Sequence, residues 1–88
     1  MRFRYDPVKA AVNARKHGVS FADAEGVFED PLALTFEDPD ARGERRFLAV
    51  GLGSAGELLV VVYAERGDEY RLISARRATR KERKQYEG

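Results

Sequence analysis

The chain has 88 residues, enough for one small domain, and it contains no cysteine, which excludes disulfide bonds and a thiolate zinc site. Hydrophobic residues make up 43%, which argues against intrinsic disorder although 35% of the residues are charged. Since the N-terminus lacks an apolar stretch and the longest apolar run, Leu58 to Ala64, is short, we expect no signal peptide and no membrane span. We therefore expect a single cytoplasmic domain over residues 1–88.

The first element is predicted to be a short edge strand over Arg2 to Tyr5, where charged and aromatic residues alternate. Asp6 followed by Pro7 predicts the start of a helix that ends near His17. On a helical period, one side of this helix is expected to face the core: Val8, Ala11 and Val12. A polar stripe on another side is a place where chemistry is expected: Lys9, Asn13, Lys16 and His17.

A second helix is predicted from Ser20, with Asp23 three residues later, and Asp30-Pro31 ends it. Its apolar side consists of Phe21, Ala24, Val27 and Phe28.

The remainder of the chain is predicted to be mostly sheet. Strands are expected over Leu32–Phe36, Arg46–Leu52, Leu58–Glu65 and Glu69–Ala75, and the last three are joined by short glycine-containing turns that favour an antiparallel meander. Leu58 to Ala64 is apolar throughout, so this strand is expected to be central. A capping box of Thr79 and Glu82 begins a last helix over Arg80–Tyr86, which has almost no apolar stripe. The predicted fold class is α+β: an antiparallel four-stranded sheet plus a short N-terminal strand, with two N-terminal helices and a short basic C-terminal helix.

Charge is unevenly distributed along the chain, although its net value is only +1. Residues 25–44 contain seven acids against one base, and residues 66–86 contain eight bases against three acids. This pattern predicts that the basic end binds an anion, such as an RNA backbone or an acidic protein, while the acidic stretch turns away.

Three segments, FRYDPVKAAVNARKHGVSF, LLVVVYAERGD and RLISARRATRKERKQY, resemble in order the BrnT family of bacterial toxins. The resemblance covers nearly the whole chain; one departure is Tyr5, where tryptophan is expected more often. It implies a RelE-like fold and the toxin of a type II toxin–antitoxin module, which acts as an endoribonuclease of the mRNA interferase type and arrests translation. It also implies a cognate BrnA-like antitoxin that neutralises the toxin and contacts DNA itself, so that the toxin reaches DNA only indirectly.

RelE-like toxins cut RNA without a metal or other cofactor, which the resemblance extends to this chain. The RNA's own 2′-hydroxyl attacks the phosphorus, so the protein must supply a base, cations for the phosphorane, and an acid for the leaving oxygen. The candidate catalytic residues are His17, Glu65, Arg66, Arg76 and Arg80, and the candidate RNA-binding residues are Lys9, Lys16, Arg71, Arg77, Arg83 and Tyr86.

Each of these candidates has a structural alternative. His17 can simply help to end its helix, where a cation interacts favourably with the helix dipole. Glu65, Arg66 and Asp68 can be ordinary solvated hairpin residues. Tyr86 can anchor the last helix, whose basic residues can form a solvated face. Strand alternation predicts that Arg71 and Arg77 share one side, opposite Tyr70, Leu72, Ser74 and Arg76. A non-catalytic module that binds RNA or a partner, or a purely structural partner of an antitoxin, is the alternative function.

Overall fold

A five-stranded mixed sheet forms the centre of the molecule, whose computed structural model describes residues 2–88. In sheet order the strands are β1 (Arg2–Arg4), β5 (Glu69–Arg77), β4 (Leu58–Arg66), β3 (Arg46–Leu52) and β2 (Leu34–Glu37). The meander is antiparallel as predicted, and β4 is central. The sheet differs from the predicted antiparallel four-stranded sheet in having five strands of mixed direction, because the short N-terminal strand β1 joins it by pairing with β5 in parallel.

Three helices accompany the sheet: α1 (Pro7–His17), α2 (Phe21–Glu25) and α3 (Arg80–Glu87). Each N-terminus is capped by a side chain that the sequence predicts, namely Asp6, Ser20 and Thr79, and the Thr79 box is complete. A 3₁₀ turn, Gly26–Glu29, continues α2 to Asp30. Within residues 2–88 no helix is long and apolar enough to cross a membrane.

The sheet has two unequal faces. The inner face packs against α2 and the 3₁₀ turn, where Phe21, Ala24 and Val27 are buried as predicted against Val61 and Tyr63 of β4. On the outer face, Val50, Leu58 and Val60 form a smaller cluster, against which Ala78 and Tyr86 pack. Because α3 has only eight residues, it covers only part of this face, and Phe36 of β2 stays 46% exposed. Helices packed against one largely antiparallel sheet confirm the predicted α+β fold class.

The prediction for the buried side of α1 is wrong. Val8 and Val12 are 70% and 48% exposed, whereas Asn13 is 6% exposed. The Asn13 amide nitrogen donates to the carbonyls of Val19 (3.1 Å) and Ala75 (2.9 Å), and its oxygen accepts from the Ala75 N–H (3.1 Å). Since β1 ends at Arg4, no strand within residues 2–88 pairs with this edge of β5 at Ala75, and the Asn13 amide takes the place of the missing peptide group.

A β-bulge in β5 overturns the predicted side-chain alternation. Val62 pairs with Ser74 but Tyr63 pairs with Leu72, so β5 contains one extra residue at Ile73. Beyond the bulge, Arg77 lies on the inner face opposite Leu59, whereas Arg71 lies on the outer face opposite Ala64. Tyr70 and Leu72 accordingly share the inner face, and Ser74 and Arg76 share the outer face.

Two strand boundaries differ from the prediction by two residues, and the others agree within one residue. β2 begins at Leu34 rather than Leu32, because the Asp30 carboxylate accepts a hydrogen bond from the Leu32 N–H (2.9 Å) and holds a turn there. β5 continues two residues beyond Ala75, where Leu59 and Val60 pair with its last two residues.

Candidate functional site

The polar stripe of α1 lies beside β5 and forms a cleft of about 260 Å³. Lys9, Lys16 and His17 line it from the helix, and Ile73 and Ser74 line it from the strand. The bulge at Ile73 places Ser74 on the outer face, so the cleft lies next to that face. The structure therefore brings together three of the predicted site residues, and we name this place the α1 cleft.

The cationic groups of the α1 cleft are available to a ligand. Within residues 2–88 the side chains of Lys9, Lys16 and His17 form no hydrogen bond or ion pair; only the main-chain carbonyl of His17 is engaged, by Arg77 Nη1 at 3.0 Å. Gly18 in the left-handed conformation (φ 69°) ends α1 directly after the histidine. The imidazole thus sits at a fixed helix end, half-buried, with two ammonium groups on the same side of the helix.

Arg76 is held by α3. Its guanidinium donates two parallel hydrogen bonds of 2.8 Å to the Glu82 carboxylate, which also accepts from the Thr79 N–H. The hydrogen bond from Arg76 holds the pKa of Glu82 at about 2, well below its ordinary value. The contact places the first turn of α3 on the outer face, and it already pairs the charge of Arg76.

Two further candidates make intramolecular contacts. Arg77 Nε donates to Glu57 (2.6 Å) while its Nη1 reaches His17, so this side chain connects β5 to α1 and to the turn after β3. Tyr86 packs into the outer cluster, and its hydroxyl donates to the Asp30 carboxylate (2.6 Å). Hydrogen bonds from the Leu52 N–H and from this hydroxyl lower the pKa of Asp30.

The remaining α3 candidates lie at the surface. Arg80 has no hydrogen-bond or ion-pair partner in the described part of the chain, and Arg83 approaches Glu87 at 3.9 Å. Exposed pairs one helical turn apart contribute little free energy. Both guanidinium groups are therefore open to solvent and to a ligand.

The structure separates Glu65 from Arg66. Both belong to β4, so their side chains point to opposite faces: Glu65 lies with Tyr70 on the inner face, and Arg66 lies with Glu69 on the outer face. Gly67 (φ 58°) and Asp68 close the turn, and Asp68 is exposed. A base at Glu65 and a clamp at Arg66 consequently do not face the same space.

Arginines from separate strands meet on the outer face at this hairpin end. Arg4, Arg66, Arg71 and Glu69 line a cleft of about 340 Å³, which we name the arginine cleft. The expectation that the acidic stretch turns away is wrong here, because Glu44 binds Arg71 and lies 4.0 Å from Arg66. Sequence reasoning missed the contributions of Arg4 and Glu44. Strand pairing brings Arg4 to Arg71, and the connection between β2 and β3 brings Glu44 there, so sequence proximity marks neither.

The predicted residues thus occupy separate places in the fold. The α1 cleft and the arginine cleft both border the outer side of β5, whereas Glu65 is on the other face and Arg76, Arg77 and Tyr86 are engaged in internal contacts. Among residues 2–88, no three His, Asp or Glu side chains are grouped to hold a metal ion.

Comparisons with known proteins agree with this architecture. A search of proteins with curated function finds no match. A solved structure, the 1.1 Å crystal structure of the Brucella abortus ribonuclease toxin BrnT, superposes with a TM-score of 0.69 at 26% identity. The alignment covers 91% of this chain and 99% of the Brucella protein. A family model described as the ribonuclease toxin BrnT of type II toxin–antitoxin systems matches residues 5–82. The chain therefore belongs to the BrnT family of ribonuclease toxins.

Proposed function

We propose that this protein is the toxin of a bacterial toxin–antitoxin module and a metal-independent endoribonuclease that arrests translation by cutting mRNA. The observation that carries this proposal is the α1 cleft, where the single histidine of the chain lies beside an open sheet face with two lysines that have no ion-pair partner in the described part of the chain. Membership of a ribonuclease family supports the activity, and the mixed α+β sheet fits the RelE-like fold that the sequence resemblance implies.

In the proposed reaction, the α1 cleft holds the scissile phosphodiester. His17 takes the proton of the RNA 2′-hydroxyl, whose oxygen attacks the phosphorus. Lys9 and Lys16 stabilise the doubly charged phosphorane, because their charge is more strongly attracted to it than to the resting diester. The bond to the 5′-oxygen then breaks, that oxygen takes up a proton from water, and His17 returns its proton to the solvent. We propose Arg80 as a further cation for this step. The products are a 2′,3′-cyclic phosphate and a 5′-hydroxyl.

A cleavage assay tests this assignment. Purified protein is incubated with RNA in the presence of a chelator, with and without ribosomes, and the new ends are identified. We expect 2′,3′-cyclic phosphate ends from the native protein and at least about a hundredfold slower cleavage by His17→Gln. The control is Gln85→Ala, an exposed change on α3 that leaves the cleft intact. Cleavage by a folded His17→Gln protein at the native rate would refute the assignment.

A second candidate function is RNA or partner binding without catalysis. It is favoured by the contacts of Arg76 and Arg77, since two of the guanidinium groups expected to hold the phosphorane are bound by Glu82 and Glu57. In the same assay, retention of RNA that weakens with salt, without any cleavage, would establish this alternative.

The proposed partners are an RNA substrate and a BrnA-like antitoxin, which neutralises the toxin in the cytoplasm and carries its own DNA-binding part. A neighbouring gene for a small DNA-binding protein, and co-purification of its product with this chain, are the expected observations. A protein that purifies alone when both genes are expressed would argue against this partner.

A further inference from the structure

The strand register places five arginines at the hairpin end of the outer face of the sheet. Arg46 and Arg71 flank Ala64 on β4, and Arg66 lies two pairs further toward the hairpin, on the same face. Phe3 packs on the inner face against Phe28 and Tyr70, so its neighbours Arg2 and Arg4 point to the outer face. Opposing them on this side are Glu44 and Glu69, so positive charge predominates at this end of the outer face.

Arg46 is the least satisfied of these groups. Its Nε is buried and has no hydrogen-bond partner among residues 2–88, although guanidinium donors removed from water normally find an acceptor. Adjacent strands are about 4.8 Å apart, so the backbones of Arg46 and Arg71 are separated by about 10 Å across Ala64. Two long guanidinium side chains can reach one anion between them from that distance.

Glu44 already occupies the position of such an anion. Its carboxylate accepts a hydrogen bond from Arg71 and lies 4.0 Å from Arg66. The side chain comes from the connection between β2 and β3, which is outside the sheet, and ion pairs as exposed as those of Arg66 and Arg71 contribute little free energy. An incoming phosphate can therefore replace this carboxylate, with the bidentate geometry that guanidinium favours.

We propose that the arginine cleft, extended by Arg46, binds backbone phosphates of the RNA strand whose scissile bond lies in the α1 cleft, and that Glu44 occupies the cleft in the free protein. The proposal rests on the proposed function for its substrate. Arg71 and Ser74 lie on the same face and are three residues, or about 10 Å, apart along β5. One extended strand thus passes from the arginine cleft to the α1 cleft.

An RNA strand fits this surface better than an acidic protein segment. The arginines lie in two rows across the strands, one with Arg46, Arg71 and Arg4 and the next with Arg66 and Arg2. Repeated cations of this kind suit the regularly spaced charges of a nucleic-acid backbone. The outer face also leaves the ring of Phe36 46% exposed, which provides a surface on which a base can stack.

The test is binding of a fluorescent 2′-O-methyl oligonucleotide, which lacks the attacking hydroxyl and so reports binding without cleavage. We expect the Arg46→Gln/Arg71→Gln protein to bind about tenfold or more weakly. The slope of the logarithm of the binding constant against the logarithm of the salt concentration should be smaller in magnitude by about 1.4, because two phosphate contacts are lost. Glu44→Gln should change affinity in the opposite direction and strengthen binding about two- to fivefold. The control Arg15→Gln removes one positive charge from an exposed position of α1 and should bind like the native protein.

The outcomes separate this site from the proposed activity. Native binding and an unchanged salt slope in the folded arginine variant overturn the proposal, as does Glu44→Gln binding more weakly than the native protein. Loss of binding to a polyglutamate peptide, with oligonucleotide binding intact, assigns the cleft to an acidic protein and also overturns it. Arginine-dependent binding by a protein that leaves unmodified RNA uncut supports the site and refutes the endoribonuclease activity instead.

Discussion

Replacement of Asn13 by leucine should destabilise the fold strongly, although leucine has a similar volume and a higher helix propensity. The change removes three buried hydrogen bonds and leaves the Ala75 N–H and C=O without partners at the edge of β5. At about 1 kcal/mol for each bond, we expect the free energy of unfolding to fall by about 3 kcal/mol. That is a large fraction of the total for a domain of this size, which is about 4–13 kcal/mol.

Urea unfolding monitored by circular dichroism gives the measurement, with the exposed Arg15→Ala on the same helix as control. Asn13→Asp adds a pH test. One carboxylate oxygen can still accept from the Ala75 N–H, but the other faces the carbonyls of Val19 and Ala75. Protonation relieves this repulsion, so the folded-state pKa of the new carboxyl is raised above the unfolded value. The loss of unfolding free energy relative to the native protein should therefore grow as pH rises through the folded-state pKa of this carboxyl group. A leucine variant as stable as Arg15→Ala would refute the reasoning.

Three other changes have defined outcomes. Glu82→Gln should lower the free energy of unfolding by about 1–2 kcal/mol at neutral pH, after allowance for solvent screening of the ion pair with Arg76. Because the native pKa of Glu82 is about 2, this stabilisation is present above about pH 4.5 and lost toward pH 2, so urea unfolding should show the difference shrinking in acid. Gly26→Ala would place a Cβ 2.4 Å from the Ser54 nitrogen, and thermal unfolding should show a loss of about 2 kcal/mol or more. Tyr86→Phe removes the bond to Asp30 and should cost about 1 kcal/mol in the same assay, with no change in the spectrum of the sheet.

Local signals account for the parts of the fold that the sequence predicts. The caps at Asp6, Ser20 and Thr79 depend on residues within one turn, and the apolar run of β4 is typical of a central strand in any context. The prediction of the buried face of α1 is wrong because that burial depends on a partner distant in sequence. The free edge of β5 needs an amide group as its hydrogen-bond partner, and Val8 has none in its side chain.

The candidate site likewise combines features that are visible in the sequence with features that depend on strand pairing. The basic run after β5 is visible in the sequence, but the bulge at Ile73 depends on pairing with β4, so the sides of Arg71 and Arg77 cannot be assigned from alternation alone. Arg4 and Arg46 join Arg71 only through strand pairing, and no local pattern marks them. The position of His17 at the end of α1 follows directly from Gly18, which is why the α1 cleft was accessible to prediction.

The extra residue in β5 means that this strand can lose one residue without losing its register. Deleting Ile73 would remove the bulge, but Leu72 would still pair with Tyr63 and Ser74 with Val62, so no other side chain would change face. Straightening β5 with all its residues present would instead shift the segment up to the hairpin by one position, and Arg71 would enter the aromatic interior while Tyr70 would emerge among the cations. A deletion at Ile73 should therefore be tolerated among functional relatives, whereas a deletion in β4, which has no extra residue, should be rare.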